Sequence, residues 1–454
     1  MKSQNYFECL QCSYQTLKWI GCCPECKAWN SFDQISTSTN TKEHTAAILD
    51  PDQHLHHIDE IISQDVQRIQ TQNTEWDRVT GGGIVPGSFI LISGDPGIGK
   101  STLLLQICTQ VSIQHDVIYF SSEESLAQVK LRFKRIKTTT PERLKFCDQN
   151  NVSTIIDICK EKKPALIIID SIQSIINDEQ TGLPGTISQL KESAFKLMRL
   201  AKEHNIAIIA TGHITKEGTV AGPKLLEHMV DAVFYLQKED QWQTRTLRSM
   251  KNRFGSVNEI GFFQMNDCGM QEIANINQHL LDQTTHTPGS TIVSSLEGTR
   301  PLFLELQALI VQAKFAIPQR IITGIDHKHV TIIAAILEKY LHIPLSKHDI
   351  FFKISGGIKI KDQTCDLGIA LALLSGYFQQ STPTKTIALG EISLTGQIKP
   401  VYNINIHMKE CKTFGFSNII IAKNQILEKP DIHKIKRLSN VHELLLLFPA
   451  TESV

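Results

Sequence analysis

The segment Gly94-Asp95-Pro96-Gly97-Ile98-Gly99-Lys100-Ser101-Thr102 fits G-x-x-x-x-G-K-[ST], and it restricts the fold more than any other stretch of the chain. An apolar strand candidate, FILIS, runs into it, and a helical pattern, TLLLQICTQV, leaves it. Such a loop wraps backbone N–H groups around phosphate at a helix N-terminus, so it needs a strand that ends, and a helix that begins, at one edge of a sheet. Lys100 is then placed to reach the β/γ-phosphates, and the Ser101 hydroxyl to bind Mg²⁺. The surrounding chain agrees. From Thr74 to about Asn266 the β-branched runs VIYFSS, ALIIID, IAIIATGH and AVFYL alternate with helical patterns, which predicts an α/β fold with a mostly parallel sheet covered by helices.

Hydrolysis needs an acidic residue at the end of a neighbouring strand. The run ALIIID delivers Asp170 to the C-terminal edge of the sheet, where Mg²⁺ and its waters would sit. Glu123 and Glu124 follow VIYFSS and are both candidates for orienting the attacking water. One of the two has that role at most, because a charge at a helix start is also favoured by the helix dipole.

Near the N-terminus Cys9-x₂-Cys12 and Cys23-x₂-Cys26 present four thiolates in two tight turns, the arrangement that a tetrahedral Zn²⁺ site needs. A segment this short can hardly build a core without the metal. Trp19 and Trp29 flank the second knuckle and are expected to pack over the metal site. The chain has 11 Cys and shows no secretion signal, so metal binding or burial is expected rather than a disulfide framework.

The remaining organisation follows from composition. At roughly 150 residues per domain, 454 residues suggest about three domains. Residues 33–70 are polar and poor in aromatics and read as a linker. A His/Thr/Pro stretch at 277–290 marks a further boundary, after which strand and helix patterns resume to about 450. The sum of 46 Lys and Arg equals that of Asp and Glu, so any contact with nucleic acid must come from a local basic patch. No apolar run is long enough for a signal peptide or a membrane span, which predicts a soluble protein of the cytoplasm.

Taken together, the motifs closely resemble the bacterial RadA/Sms family of recombination ATPases, over nearly the whole chain. The resemblance rests on the cysteine segment ending WIGCCPECKAWN, on DRVTGGG at 77–83, GDPGIGKST, DSIQ at 170–173, GHITKEG at 212–218, AGPKLLEHMVD at 221–231 and KNRFG at 251–255. It implies a zinc ribbon over 1–32, the linker over 33–70, a RecA-like ATPase core over 71–275 and a Lon-protease-like α+β domain over 288–450. It also implies ATP, Mg²⁺ and Zn²⁺ as ligands and assembly into a hexameric ring. The activity implied is translocation on single-stranded DNA that drives branch migration of recombination intermediates, beside the RecA recombinase.

The resemblance also suggests roles for single residues. It favours Glu123 over Glu124 for orienting water, although the family usually has Gly where this chain has Ser122. His213 resembles the residue that senses the γ-phosphate. Lys251 and Arg253 suit trans-acting fingers that reach a neighbouring subunit's nucleotide. Lys216 and Lys224 fall in the loop that would face DNA in the ring channel, and the basic run at 130–137 offers further cations. In the Lon-like part Thr364 stands at the nucleophile position and Asn405 where the catalytic Lys is needed, so no peptidase activity is expected. Two rival readings are an ATP-dependent protease and a nucleotide-switched DNA-binding protein without motor activity.

Overall fold

A computed structural model describes residues 5–9, 15, 16, 18–29, 32–36, 67–136, 141–180, 182–213, 226–238, 244–282, 284–355, 360, 362–428 and 434–449. The chain divides into two units, Met1–Asp65 and Val66–Val454. In the first, β1 (Asn5–Cys9) lies between β2 (Gln15–Thr16) and β3 (Phe32–Ser36), antiparallel to both. The chain between β2 and β3 brings Cys23 and Cys26 towards Cys9.

The second unit is built on two sheets. In the larger, β4 (Phe89–Gly94), β5 (Val117–Ser121), β6 (Leu144–Cys147), β7 (Leu166–Asp170), β8 (Ala207–His213) and β9 (Ala232–Lys238) run parallel in the order β9-β4-β8-β7-β5-β6. Strands β4, β5 and β7 are buried at every position, as expected of apolar runs covered on both faces. Alternate side chains serve two helical layers. Ile90, Ile92, Tyr119 and Ile168 pack with helices α1 (Thr74–Thr80), α2 (Lys100–Val111) and α3 (Leu126–Arg135). Leu91, Phe120, Ile167 and Ile169 pack with α4 (Val152–Lys162) and α5 (Ile187–His204). Local signals set the helix starts: Asn73 caps α1, Asn151 caps α4, and Ser125 forms a capping box with Gln128 on α3.

Three further strands, β10 (Thr244–Asn252), β11 (Ile260–Asn266) and β12 (Gly269–Glu272), extend the sheet antiparallel beyond β9. The stretch read from sequence as a boundary contains a short helix, Ile276–Leu281. Its Asn277 is buried and donates to the Pro301 carbonyl and the Glu410 carboxylate.

The second sheet has the order β15-β16-β14-β13-β17-β20-β21. Its strands are β13 (Ser290–Glu297), β14 (Arg300–Gln312), β15 (Arg320–Thr323), β16 (His348–Ile354), β17 (Thr386–Leu389), β20 (Asn418–Ala422) and β21 (Lys434–Leu438). A separate ribbon joins β18 (Glu391–Ile392) to β19 (Ile398–Lys399). Helix Asp366–Phe378 is apolar all round and is buried from Asp366 to Gly376, as an internal helix should be. The β13–β14 turn meets the first sheet. Arg300 forms an ion pair with Glu75 of α1 at 2.8 Å, Arg248 pairs with Glu297 at 2.6 Å, and the Thr299 N–H donates to Glu259.

Among the described residues no helix is long and apolar enough to cross a membrane. The architecture is a RecA-like P-loop core with a Lon-like domain after it.

Candidate nucleotide site and its surroundings

Strand β4 ends at Gly94, so close to β9 that a Cβ there would lie 2.4 Å from the Leu236 carbonyl oxygen. Residues 95–99 then turn into the start of α2, where Lys100, Ser101 and Thr102 form the first turn. Nothing lies within 4 Å of where a Cβ on Gly97 would be, so this side of the loop is open to a ligand. Lys100 is buried, with its Nζ donating to the carbonyls of Gly94 at 2.8 Å and Asp95 at 3.0 Å. Burial lowers its pKa, and the carboxylates of Asp170, Glu123 and Asp95 oppose that shift. A cation stored against loop carbonyls beside three carboxylates fits a site for phosphate and a divalent metal.

Asp170, at the end of β7, accepts hydrogen bonds from the Tyr119 hydroxyl at 2.5 Å and the Thr211 hydroxyl at 2.6 Å. Burial and the negative charge of Asp170 push the Tyr119 phenol well above its usual range, so it stays a donor. Both donors escaped the sequence reading. A tyrosine inside an otherwise apolar buried strand was the available signal, since its hydroxyl needs a partner.

Glu123 and Glu124 part company in the structure. The Glu123 carboxylate accepts from the hydroxyl of Ser171, the residue after Asp170. Glu124 forms an ion pair with Arg132 of α3. His213 ends β8 directly abreast of Gly94. Lys216 and Lys224 lie outside the described residues, as do the other residues of that loop. Arg245 of β10 also escaped the sequence reading, and its Nε donates to the Ile98 carbonyl.

Lys251 and Arg253 stand at the opposite edge of the sheet. Asn252 is level with Ala232, which pairs with Ile90, and Asp231 donates its N–H to the Phe89 carbonyl. That puts Arg253 about 17 Å along the strands from Gly94, and Lys251, level with Val233 and Leu91, about 10 Å. The Lys251 ammonium donates to the carbonyls of Glu227 at 2.7 Å and Val230 at 2.8 Å. Arg253 pairs at 3.2 Å with Asp231, a buried carboxylate that also receives Lys202 at 2.8 Å and the Phe89 N–H at 3.0 Å. The Arg253 side chain remains 58% exposed. The turn is docked on the segment after α1: a Cβ on Gly255 would lie 2.9 Å from the Gly81 Cα, and Arg68 donates to the Phe254 carbonyl at 2.6 Å.

In the N-terminal unit the sulfurs of Cys9, Cys23 and Cys26 lie within 4.8 Å of one another. Cys12 is outside the described residues. Three converging thiols with a fourth candidate nearby in sequence fit a tetrahedral zinc donor set. Trp19 is 56% and Trp29 77% exposed, and both rings come within 4.0 Å of where a Cβ on Gly21 would lie, beside the second cysteine pair.

The chain is 40% identical over 433 residues to the "DNA repair protein RadA" of Halalkalibacterium halodurans, covering 94% of each. The protein of that name from Bacillus subtilis is 38% identical over 451 residues, covering 98% of each. The chain belongs to the RadA family. Family models match in three places: "AAA domain" at 48–219, "Rubredoxin metal binding domain" at 7–34 and "Subunit ChlI of Mg-chelatase" at 313–425. Two solved structures align with less of the chain. A KaiC-like protein from Pyrococcus horikoshii is 18% identical with a TM-score of 0.39, covering 46% of this chain and 99% of its own. The RadB recombinase is 21% identical with a TM-score of 0.37, covering 45% and 99%.

Thr364 and Asn405, the residues expected at the nucleophile and base positions of a protease-like site, carry a hydroxyl and an amide. The Thr364 hydroxyl donates to Asp362 at 2.7 Å, and the Asn405 amide oxygen accepts from the Glu428 N–H at 3.4 Å.

Proposed function

We propose that the protein is a DNA-dependent ATPase of recombinational DNA repair that works as a hexameric ring, each nucleotide site being completed by the adjacent subunit.

 

The observation that carries this reading is the split arrangement of the site. Lys100, Asp170 and Glu123 gather at one edge of the sheet, while Lys251 and Arg253 stand at the other. A finger such as Arg253, about 17 Å from its own P-loop along the strands, can complete a neighbour's site in a ring.

In the proposed mechanism ATP binds across the open side of the loop formed by residues 94–99. Lys100 turns from the Gly94 and Asp95 carbonyls to the β/γ-phosphates. Ser101 and Asp170 would hold Mg²⁺, with Tyr119 and Thr211 fixing the Asp170 carboxylate. Glu123 orients the attacking water. Lys251 and Arg253 of the adjacent subunit stabilise the charge that develops in phosphoryl transfer, an effect worth roughly 10³ to 10⁵ in rate. His213, abreast of Gly94, reports the state of the γ-phosphate to the loop that carries Lys216 and Lys224, which contact single-stranded DNA. Repeated around the ring, this cycle moves the protein along single-stranded DNA and drives branch migration beside the RecA recombinase. Cys9, Cys12, Cys23 and Cys26 hold Zn²⁺. The Lon-like domain acts as a scaffold without peptidase activity, because Asn405 cannot serve as a base.

The test is ATP turnover with and without single-stranded DNA. Stimulation that Lys100→Ala abolishes supports the reading, and turnover indifferent to DNA overturns it.

A further inference from the structure

Four hydroxyl groups surround the point where β5 and β7 leave the sheet. Ser122 continues the ladder, its N–H donating to the Asp170 carbonyl at 2.9 Å. Its hydroxyl donates to the Ser171 carbonyl at 3.0 Å and meets the Ser174 hydroxyl at 2.7 Å. Ser174 in turn donates to the Ser171 carbonyl at 3.0 Å. The Ser121 hydroxyl donates to the Glu124 carbonyl at 2.7 Å, fixing the backbone on the other side of Glu123. Ser171 itself is fully buried, and its hydroxyl donates to the Glu123 carboxylate.

We propose that Ser171 is the positioning residue for Glu123, with Ser122 and Ser174 holding Ser171 in place. The inference rests on the reading of Glu123 as the carboxylate that orients water. Glu123 is exposed on a loop, where a carboxylate has several rotamers of similar energy. A buried hydroxyl tied at its own backbone selects one of them and sets the carboxylate relative to Asp170, the neighbouring residue on the same strand end. Misplacing a group that acts on the attacking water lowers the rate of the chemical step and leaves nucleotide binding alone.

The experiment measures kcat, KM for ATP and the Kd of a fluorescent ADP on the full chain with Mg²⁺ and single-stranded DNA. Ser171→Ala is expected to lower kcat about tenfold while KM and Kd stay within about twofold. Ser122→Ala/Ser174→Ala, which leaves the Ser171 hydroxyl intact but frees its backbone, should lower kcat by a smaller factor. In a Glu123→Gln background Ser171→Ala should bring no further loss, since the group it positions is gone. Unchanged kcat in Ser171→Ala, or a loss that multiplies fully with that of Glu123→Gln, overturns the proposal. A weakened ADP affinity would make Ser171 a structural residue of the site and also overturns it. Normal turnover in Glu123→Gln alone would instead refute the role of Glu123 on which the proposal stands.

Discussion

Replacing Arg300 by Met removes one half of the buried ion pair that ties the β13–β14 turn to α1. The Arg300 side chain is 10% exposed and that of Glu75 3%, and the two make hydrogen bonds of 2.9 and 2.8 Å. Burial raises the pKa of Glu75, although Arg300 and the Phe262 N–H pull it down. Burial likewise lowers that of Arg300 against the pull of Glu75. For both partners desolvation outweighs attraction, so the pair adds little net stability, whereas losing one partner is expected to cost about 3–5 kcal/mol. The sign of the pH dependence follows. With its folded pKa raised above the unfolded value, Glu75 favours the fold below that unfolded value, and the benefit is lost as pH rises through the folded pKa. Removing Arg300 raises the folded pKa further, so the deficit of Arg300→Met should be larger at pH 8 than at pH 5. In Glu75→Gln/Arg300→Met the amide oxygen can still accept from the Phe262 N–H, now at 2.9 Å to Glu75 Oε2, and no charge is buried. The double variant should recover most of the loss. Urea unfolding followed by tryptophan emission, to which Trp76, fully buried beside Glu75, contributes, gives the readout, and a midpoint lowered by about 1 M is expected for the single variant. Equal deficits in the single and double variants, or a deficit independent of pH, would refute the reasoning.

Elemental analysis should find about one zinc per chain, and a Cys9→Ala/Cys26→Ala form should lose it. Arg253→Ala should bind nucleotide nearly as the parent does, yet turn it over orders of magnitude more slowly. Mixing it with Lys100→Ala subunits should restore part of the DNA-stimulated ATPase, which no self-contained site would do. His407 is buried against the Ser294 hydroxyl, and burial pushes its pKa down to about 4. Its stabilising effect is therefore present above pH 6.5 and lost as pH falls through about 4, by roughly 3 kcal/mol; His407→Asn should flatten that part of the stability profile measured by urea unfolding.

The parallel part of the first sheet was legible because β4 and β7 are buried on both faces and so carry unbroken apolar runs that stop at Gly94 and Asp170. Those two endpoints also fix the P-loop and the acidic residue. Strands β10 to β12 were not foreseen as an extension, since TRTLRSMKN mixes charged and apolar residues at a half-buried edge. Helix Ile276–Leu281 was hidden in a polar stretch because its partners, the core around Ile276 and Leu280 and the groups bonded by Asn277, lie far along the chain. The hydroxyls around Glu123 were equally out of reach, because they meet only when β5 and β7 pair. An isolated serine carries no periodic signal, so the residues that hold the site were harder to read than those that act in it.

Two bare backbones touch where Gly255 meets Gly81, and neither glycine has room for a methyl group without one segment yielding. Asn252 adds a hydrogen bond to the Thr80 carbonyl at 3.2 Å, and Arg68 clasps the Phe254 carbonyl. The cation at Arg253 therefore has no hinge of its own. Any displacement of this turn must carry the end of α1 with it, and α1 also bears Glu75, the anchor of the β13–β14 turn. The KNRFG turn and the C-terminal sheet thus share one support, the seven residues of α1, with Arg300 held at its start and Gly255 seated just past its end.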